Sequence, residues 1–209
     1  MTLRVLFLGE GSSDEGLVPH IERIAAELDV PVAVSSPALD WITPAVGHSV
    51  ADKLRAVRGL SDSYDLAVLQ RDADRGPDQD RRDEIAAAVR AEWPGLAHMP
   101  VVPVRMLEAW LLLDEQSIRQ VAGNPNGRMG LQLPRPSTVE RIPDPKQQLK
   151  DTLAVASGAK GRRLAELQKR FPRNRHRLFE LLDQNGPVGQ VPSWCRFVAD
   201  LTDALTNRP

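Results

Sequence analysis

At 209 residues the chain suits one large domain, or a core domain with an appendage, and its hydrophobic fraction of 42% is enough for a real core and excludes global disorder. A formal charge of -1 excludes a polycationic, histone-like binder but leaves room for a local basic face. Cys195 is the sole cysteine, which rules out internal disulfides and any cysteine-rich zinc site and suits a cytoplasmic protein.

The N-terminal run Met1 to Leu8 carries one positive charge and a short apolar stretch that ends at Gly9-Glu10. It reads as a buried strand over Val5 to Leu8 rather than a signal peptide. Ser12 and Glu15 have capping-box spacing, and Leu17, Ile21, Ile24, Ala25 and Leu28 then recur at helical period. His20 falls beside that stripe and reads as a core or boundary residue. Pro31 to Val34 is a second short strand, Val50 to Leu60 a second helix and Leu66 to Leu69 a third strand. Asp83 to Trp93 is a helix that Pro94-Gly95 stops, and Val101 to Val104 is a fourth strand. Leucine-rich helix follows from about Leu107 to Val121, with Gly123 as its C-terminal cap. No apolar stretch approaches the roughly 20 residues that span a bilayer.

Strand and helix in alternation, with short connections, imply right-handed crossovers. The expected fold is therefore α/β, a mostly parallel sheet of about four strands flanked by helices, with a C-terminal helical extension. The division expected is a core over 1–123, a proline-rich loop or linker over 124–145, and a basic helical extension over 146–209 packed on the core. That extension reads as helices at Lys146 to Val155, Arg162 to Phe171, Arg175 to Leu182 and Ser193 to Leu205.

In an open parallel sheet, ligands bind beyond the carboxyl ends of the strands. Glu10 follows the first strand there, and Asp72 and Asp74 follow the third. Alternate residues of an extended segment point the same way, so the two aspartates can share a site. Hard oxygen ligands suit Mg²⁺ or Mn²⁺, and clustered like charges need a cation. Taken singly, an Asp-x-Asp after a strand is often turn chemistry. Glu10 also precedes Ser12 and Ser13 at a helix start, an end that favours phosphate. Glu108, just past the fourth strand, is a further candidate metal ligand, whereas Asp114 and Trp110 read as structural.

The run Leu8-Gly9-Glu10-Gly11-Ser12-Ser13-Asp14-Glu15 and the run Val68-Leu69-Gln70-Arg71-Asp72-Ala73-Asp74 resemble the glutamate and Asp-x-Asp motifs of the Toprim fold. That fold occurs in topoisomerases, primases, recombination proteins and nucleases of the overcoming-lysogenization-defect type. Leu107 to Asp114, with its Glu-x-Trp, and Val191-Pro192-Ser193-Trp194-Cys195-Arg196-Phe197 resemble an uncharacterised bacterial Toprim-like family, often encoded beside ATPases in phage defence. The resemblance implies Glu10 as general acid/base and Asp72 and Asp74 as holders of Mg²⁺. Unlike many Toprim proteins, this chain has Arg71 and Arg75 flanking the acidic pair in place of a longer acidic series, which leaves one metal or two open.

Between Lys146 and Arg177 lie ten lysines and arginines against Asp151 and Glu166. A charge run is usually a solvated face, but this excess is also the electrostatic footprint that holds phosphate backbones. Lys146, Lys160, Arg162 and Arg163 are its candidate nucleic-acid contacts. Aromatic residues make up only 4%, which gives base stacking little support. The leading expectation is thus a Mg²⁺-dependent nuclease or related phosphoryl-transfer enzyme acting on nucleic acid. The alternatives are a non-catalytic regulatory subunit of a partner ATPase and, less well matched, a receiver-like or phosphatase-like domain.

Overall fold

The structure is a computed structural model that describes residues 1–61 and 63–207. The chain forms two compact units, one of Met1–Val102 with Arg196–Pro209 and one of Pro103–Cys195. Both limits differ from the expected division. The proline-rich segment is no linker, because Leu131 and Val139 are buried within the second unit.

The first unit holds a four-stranded, all-parallel sheet in the order β2-β1-β3-β4. Its strands are β1 (Leu3–Leu8), β2 (Val32–Ser35), β3 (Leu66–Gln70) and β4 (His98–Val101). The first three fall where alternating strand and helix signals place them. The fourth begins at His98 rather than Val101, because its ladder is set by Ala67↔His98 and Gln70↔Val101, and β3 offers no partner beyond Gln70. Pro103 lacks the N–H that would continue a ladder.

Three helices connect the strands: α1 (Val18–Glu27), α2 (Val50–Leu60) and α3 (Asp78–Glu92). The Ser49 hydroxyl caps α2 by accepting from Asp52 N. Its Val50, Leu54 and Val57 join Ile85, Ala88 and Val89 of α3 over Leu6, Leu8, Ala67 and Leu69. The intervening residues Val5, Phe7, Leu66 and Val68 alternate to the opposite face and are equally buried. Burial on both faces is what a parallel sheet requires. The α3 helix starts at Asp78, earlier than expected, with Asp78 and Asp80 in its first turn. Arg82 and the end of the chain tie together within this unit, through Arg82–Asp200 at 3.0 Å and an Arg196–Asp78 pair.

The second unit is helical among its described residues: α4 (Glu108–Leu111), α5 (Glu115–Val121), α6 (Pro136–Val139), α7 (Pro145–Ser157), α8 (Arg162–Lys169) and α9 (Phe171–Leu181). The last helix, α10 (Pro192–Thr206), begins in this unit. The single helix expected from Leu107 to Val121 is broken at Asp114. Its carboxylate accepts from Gln116 N and Ser117 N and from the Ser117 hydroxyl, capping α5 instead of continuing α4. Gly123 follows α5 with φ 76°, the left-handed conformation that ends helices.

Trp110 of the Glu-x-Trp run and Trp194 of the run beginning at Val191 meet edge to face at 5.0 Å and 88°. Trp110 Nε1 donates to the Ser193 hydroxyl at 2.8 Å, so the buried indole keeps its polar handle satisfied. No helix among the described residues is long and apolar enough to cross a membrane.

Candidate functional site

The strand order reverses between β1 and β3, and the crevice beyond their carboxyl ends is where open α/β sheets place ligands. The register Leu8↔Leu69 brings the segments after both strands to that one edge. Glu10 and Asp72 therefore follow neighbouring strands on the same side. A residue that the motifs did not single out joins them. Gln70 ends the wholly buried strand β3 and is itself buried. Its Oε1 accepts from Glu10 N at 3.0 Å, while its Nε2 donates to Asp72 Oδ1 at 2.9 Å. One amide thus fixes the backbone at Glu10 and the carboxylate of Asp72 together.

The acids are interleaved with guanidinium groups. Arg71 Nη1 lies 2.5 Å from Glu10 Oε1, and its Nε lies 3.4 Å from Glu84 Oε1 of α3. Arg71 Nε is buried and makes no hydrogen bond. Arg81, also on α3, reaches Glu84 at 2.7 Å and Asp74 at 3.2 Å, and donates to the backbone carbonyl of Asp72. The hydrogen bond to Glu84 comes first among the causes that raise the Arg81 pKa. Asp74 sits at φ 53°, so the chain turns away after Asp72 and the extended Asp-x-Asp arrangement does not persist. The acidic pair is split: Asp72 is held by Gln70 and Asp74 by Arg81. The sequence offered a signal only for Gln70, a polar residue closing an unbroken buried strand. Arg81 and Glu84 come from a helix that follows the motif and carry no spacing cue.

Glu10 also lines a cleft of about 290 Å³ in this unit, with Gly11, Ser12, Asp40, His48 and Lys53 among its walls. Lys53 on α2 donates to the carbonyl oxygens of Gly9 and Glu10 at 2.7 and 2.9 Å. Burial, and then the nearby Arg71, push its pKa below that of an ordinary lysine. Gly9 is required by close approach, since a Cβ there would stand 2.5 Å from the Asp14 Cβ.

Ser12 and Ser13 do not open the α-helix. They begin a 3₁₀ turn, Ser12–Leu17, capped at Gly11, whose N–H donates to Asp14 Oδ2 at 2.9 Å. Asp14 and Glu15 both fall in that first turn, so the end expected to favour phosphate already carries carboxylates. Glu108 departs further from expectation. It lies in the second unit, buried, with Oε1 3.0 Å from Nε of Arg175, which in turn stacks 5.1 Å over the Phe179 ring. Its charge is neutralised inside that unit by a partner 67 residues away.

Of the basic run, Arg175 is consumed in that buried pair, whereas Lys146, Lys160, Arg162 and Arg163 are exposed. Arg173, Arg177 and His176 line a second depression, of about 540 Å³, together with Glu180. The Arg177 hydrogen bond holds the Glu180 carboxyl below the usual glutamate range.

Among the described residues, no group of three or more His, Cys, Asp or Glu side chains is arranged to hold a metal ion. Comparison with protein-family models, with curated proteins and with solved structures finds no match to the chain.

Proposed function

We propose that the first unit is a divalent-cation-dependent phosphodiesterase of Toprim type, acting on nucleic acid, with Asp72 and Glu10 at its centre. The observation that carries this reading is the placement of both residues at the switch point of the sheet, joined through Gln70. The donor set fits Mg²⁺ or Mn²⁺ in its chemistry, being hard carboxylate oxygen throughout. Asp72 would hold the ion, with Glu10 and Asp74 joining it by exchanging Arg71 and Arg81 for it. When bound, the ion supplies charge neutralisation for a phosphoryl group and a nucleophile at neutral pH. The chain's own part is to move a proton at the Glu10 carboxylate and to stabilise developing charge with Arg71 and Lys53. The exposed Lys146, Lys160, Arg162 and Arg163 suit a phosphate backbone.

A specific observation favours a second reading, a regulatory subunit of a partner ATPase. Glu10, Asp74 and Glu84 already have arginine counter-ions, so the site is electrostatically satisfied as it stands. Calorimetric titration with Mn²⁺ beside cleavage of plasmid and single-stranded substrates separates the two. The nuclease reading expects Asp72→Asn to lose metal affinity. It expects Glu10→Gln to keep much of that affinity while turnover falls about 10²–10⁴-fold, the loss typical of general acid/base help. A parent that neither binds metal nor cleaves, even with an ATPase partner supplied, sinks the nuclease and leaves the regulatory subunit.

A further inference from the structure

The second unit has fifteen lysines and arginines against nine aspartates and glutamates, whereas the whole chain has 27 against 28. Positive charge is concentrated in the helical unit, and part of it borders a concavity. Gln120 of α5 lines the depression of about 540 Å³ together with Arg173, His176, Arg177 and Glu180 of α9. That volume falls within the range of small-ligand sites, about 300–1,000 Å³. Arg173, Arg177 and Glu180 are spaced by four and then three residues, so they form one stripe of α9. The buried Arg175, Leu178 and Phe179 lie off that stripe.

The balance of charge in the depression says what class of ligand it takes. Two guanidinium groups and an imidazole share one carboxylate. Arg177 lies 2.5 Å from one oxygen of Glu180, and His176 lies 3.4 Å from the other. Among the described residues no other carboxylate lines the depression. The Arg173 guanidinium makes neither an ion pair nor a hydrogen bond among those residues, and the Gln120 amide makes no hydrogen bond. Cationic donors are therefore left over, and an anion satisfies them. Two arginines one helical turn apart offer two planar forks, which phosphate oxygens accept in bidentate fashion. A backbone phosphodiester brings one negative charge, no more than Glu180 already supplies. A phosphomonoester brings three strong acceptor oxygens and a charge of about -1.5 to -2 at neutral pH. It can take Arg177 from Glu180 and still reach Arg173.

We propose that this depression binds a phosphomonoester, its phosphate bridging Arg173 and Arg177 in place of Glu180. The group is either the 5′-terminal phosphate of a strand or the phosphate of a free nucleotide. The site needs no metal and stands apart from the sheet edge, so it does not depend on the reading given above.

The test is binding in metal-free buffer with EDTA. Anisotropy of a 3′-labelled oligothymidylate, with and without a 5′-phosphate, covers the strand end, and calorimetric titration with AMP covers the free nucleotide. The parent should prefer the phosphorylated strand to the hydroxyl-ended one, or bind AMP alone, and the pattern identifies the source. Arg173→Ala and Arg177→Ala should each weaken that phosphate-dependent binding by about 3- to 10-fold, a modest loss because both side chains are open to solvent. Arg173→Lys keeps the charge but loses the fork, so it should recover only part. Glu180→Gln should tighten binding by about 2- to 5-fold, because the competing carboxylate is gone. Equal affinity for both strands with no AMP binding, arginine variants that bind like the parent, or no gain in Glu180→Gln each overturns the inference. A parent that cleaves with Mn²⁺ but shows no phosphate dependence keeps the sheet-edge reading and loses this site. One that binds the phosphate through both arginines and never cleaves does the reverse.

Discussion

Each unit contains a carboxylate joined to a guanidinium, and the two pairs have opposite surroundings. At the sheet edge, Glu10 and Arg71 meet at 2.5 Å with side chains 30% and 18% exposed, and Arg71 is shared with Glu84. In the second unit, Glu108 and Arg175 meet at 3.0 Å with side chains 4% and 6% exposed, among Phe179 and other apolar residues. The shorter contact is the more replaceable one. At the edge, water and neighbouring charges can take over when one partner leaves, so under the proposed function the arginine is a counter-ion that the cation would displace. Inside the helical unit both side chains are shut away from water, so the pair is part of the fold. Proximity to a strand end in the sequence puts Glu10 and Glu108 in one class. Burial separates them.

The largest expected effect lies with the buried pair. Glu108→Gln takes the carboxylate away from a buried Arg175, and should cost about 3–5 kcal/mol in unfolding by guanidinium chloride. Replacing both partners with apolar residues, Glu108→Leu with Arg175→Met, should recover most of that loss, since no buried charge then remains. If Glu108→Gln is as stable as the parent, the distinction between the two regions fails, and Glu108 becomes available again as a ligand.

Much of this contrast is hidden in the sequence for a definable reason. The first three strands and α2 are legible because period, caps and turn residues are local: the apolar spacing of Val50 to Leu60 gives both ends of α2. The position of Glu10 and Asp72 at one edge follows from strand ends and topology alone. The fourth strand starts earlier than its local pattern suggests, because its limits are set by pairing with β3, which no local pattern reports. The break at Asp114 turns on a side chain competing with the backbone, within a run of leucines that favours one continuous helix. For the site, the missing information is the counter-ions. Arg81 and Glu84 lie one helix beyond the motif, Lys53 comes from α2, and Arg175 stands 67 residues from Glu108. Sequence spacing shows which acids can gather, and only the fold shows which cations have already met them.

A middle-sized effect sharpens the same contrast at the edge. Arg71→Met removes the counter-ion of Glu10 and one of the two arginines of Glu84. A partly exposed pair of this kind contributes at most about 1 kcal/mol, so the melting temperature should shift little. Divalent-cation affinity should rise, because Glu10 no longer has to give up a guanidinium. Weaker Mn²⁺ binding in Arg71→Met would mean that the arginine organises the acids rather than competing for them.

The smallest effect concerns a third carboxylate, more exposed than either of the others. Glu180 accepts from Arg177 at 2.5 Å and lies 3.4 Å from His176, on the outer side of α9. The Arg177 hydrogen bond is the main cause that lowers its pKa from the ordinary 4.5. A carboxyl whose folded pKa lies below its unfolded value binds protons less well when folded. Its stabilisation is therefore present above pH 4.5 and disappears as pH falls through the folded value. The side chain is 37% exposed, so solvent screening keeps the contribution below about 1 kcal/mol. Glu180→Gln should accordingly be slightly less stable than the parent at neutral pH, and equal to it in acid well below the carboxylate range. High salt at neutral pH should shrink the difference as acid does, because the pair is open to ions. A difference that stays constant across pH and salt would mean that Glu180 acts through packing rather than through its charge, and would show that exposure alone does not sort the carboxylates of this chain.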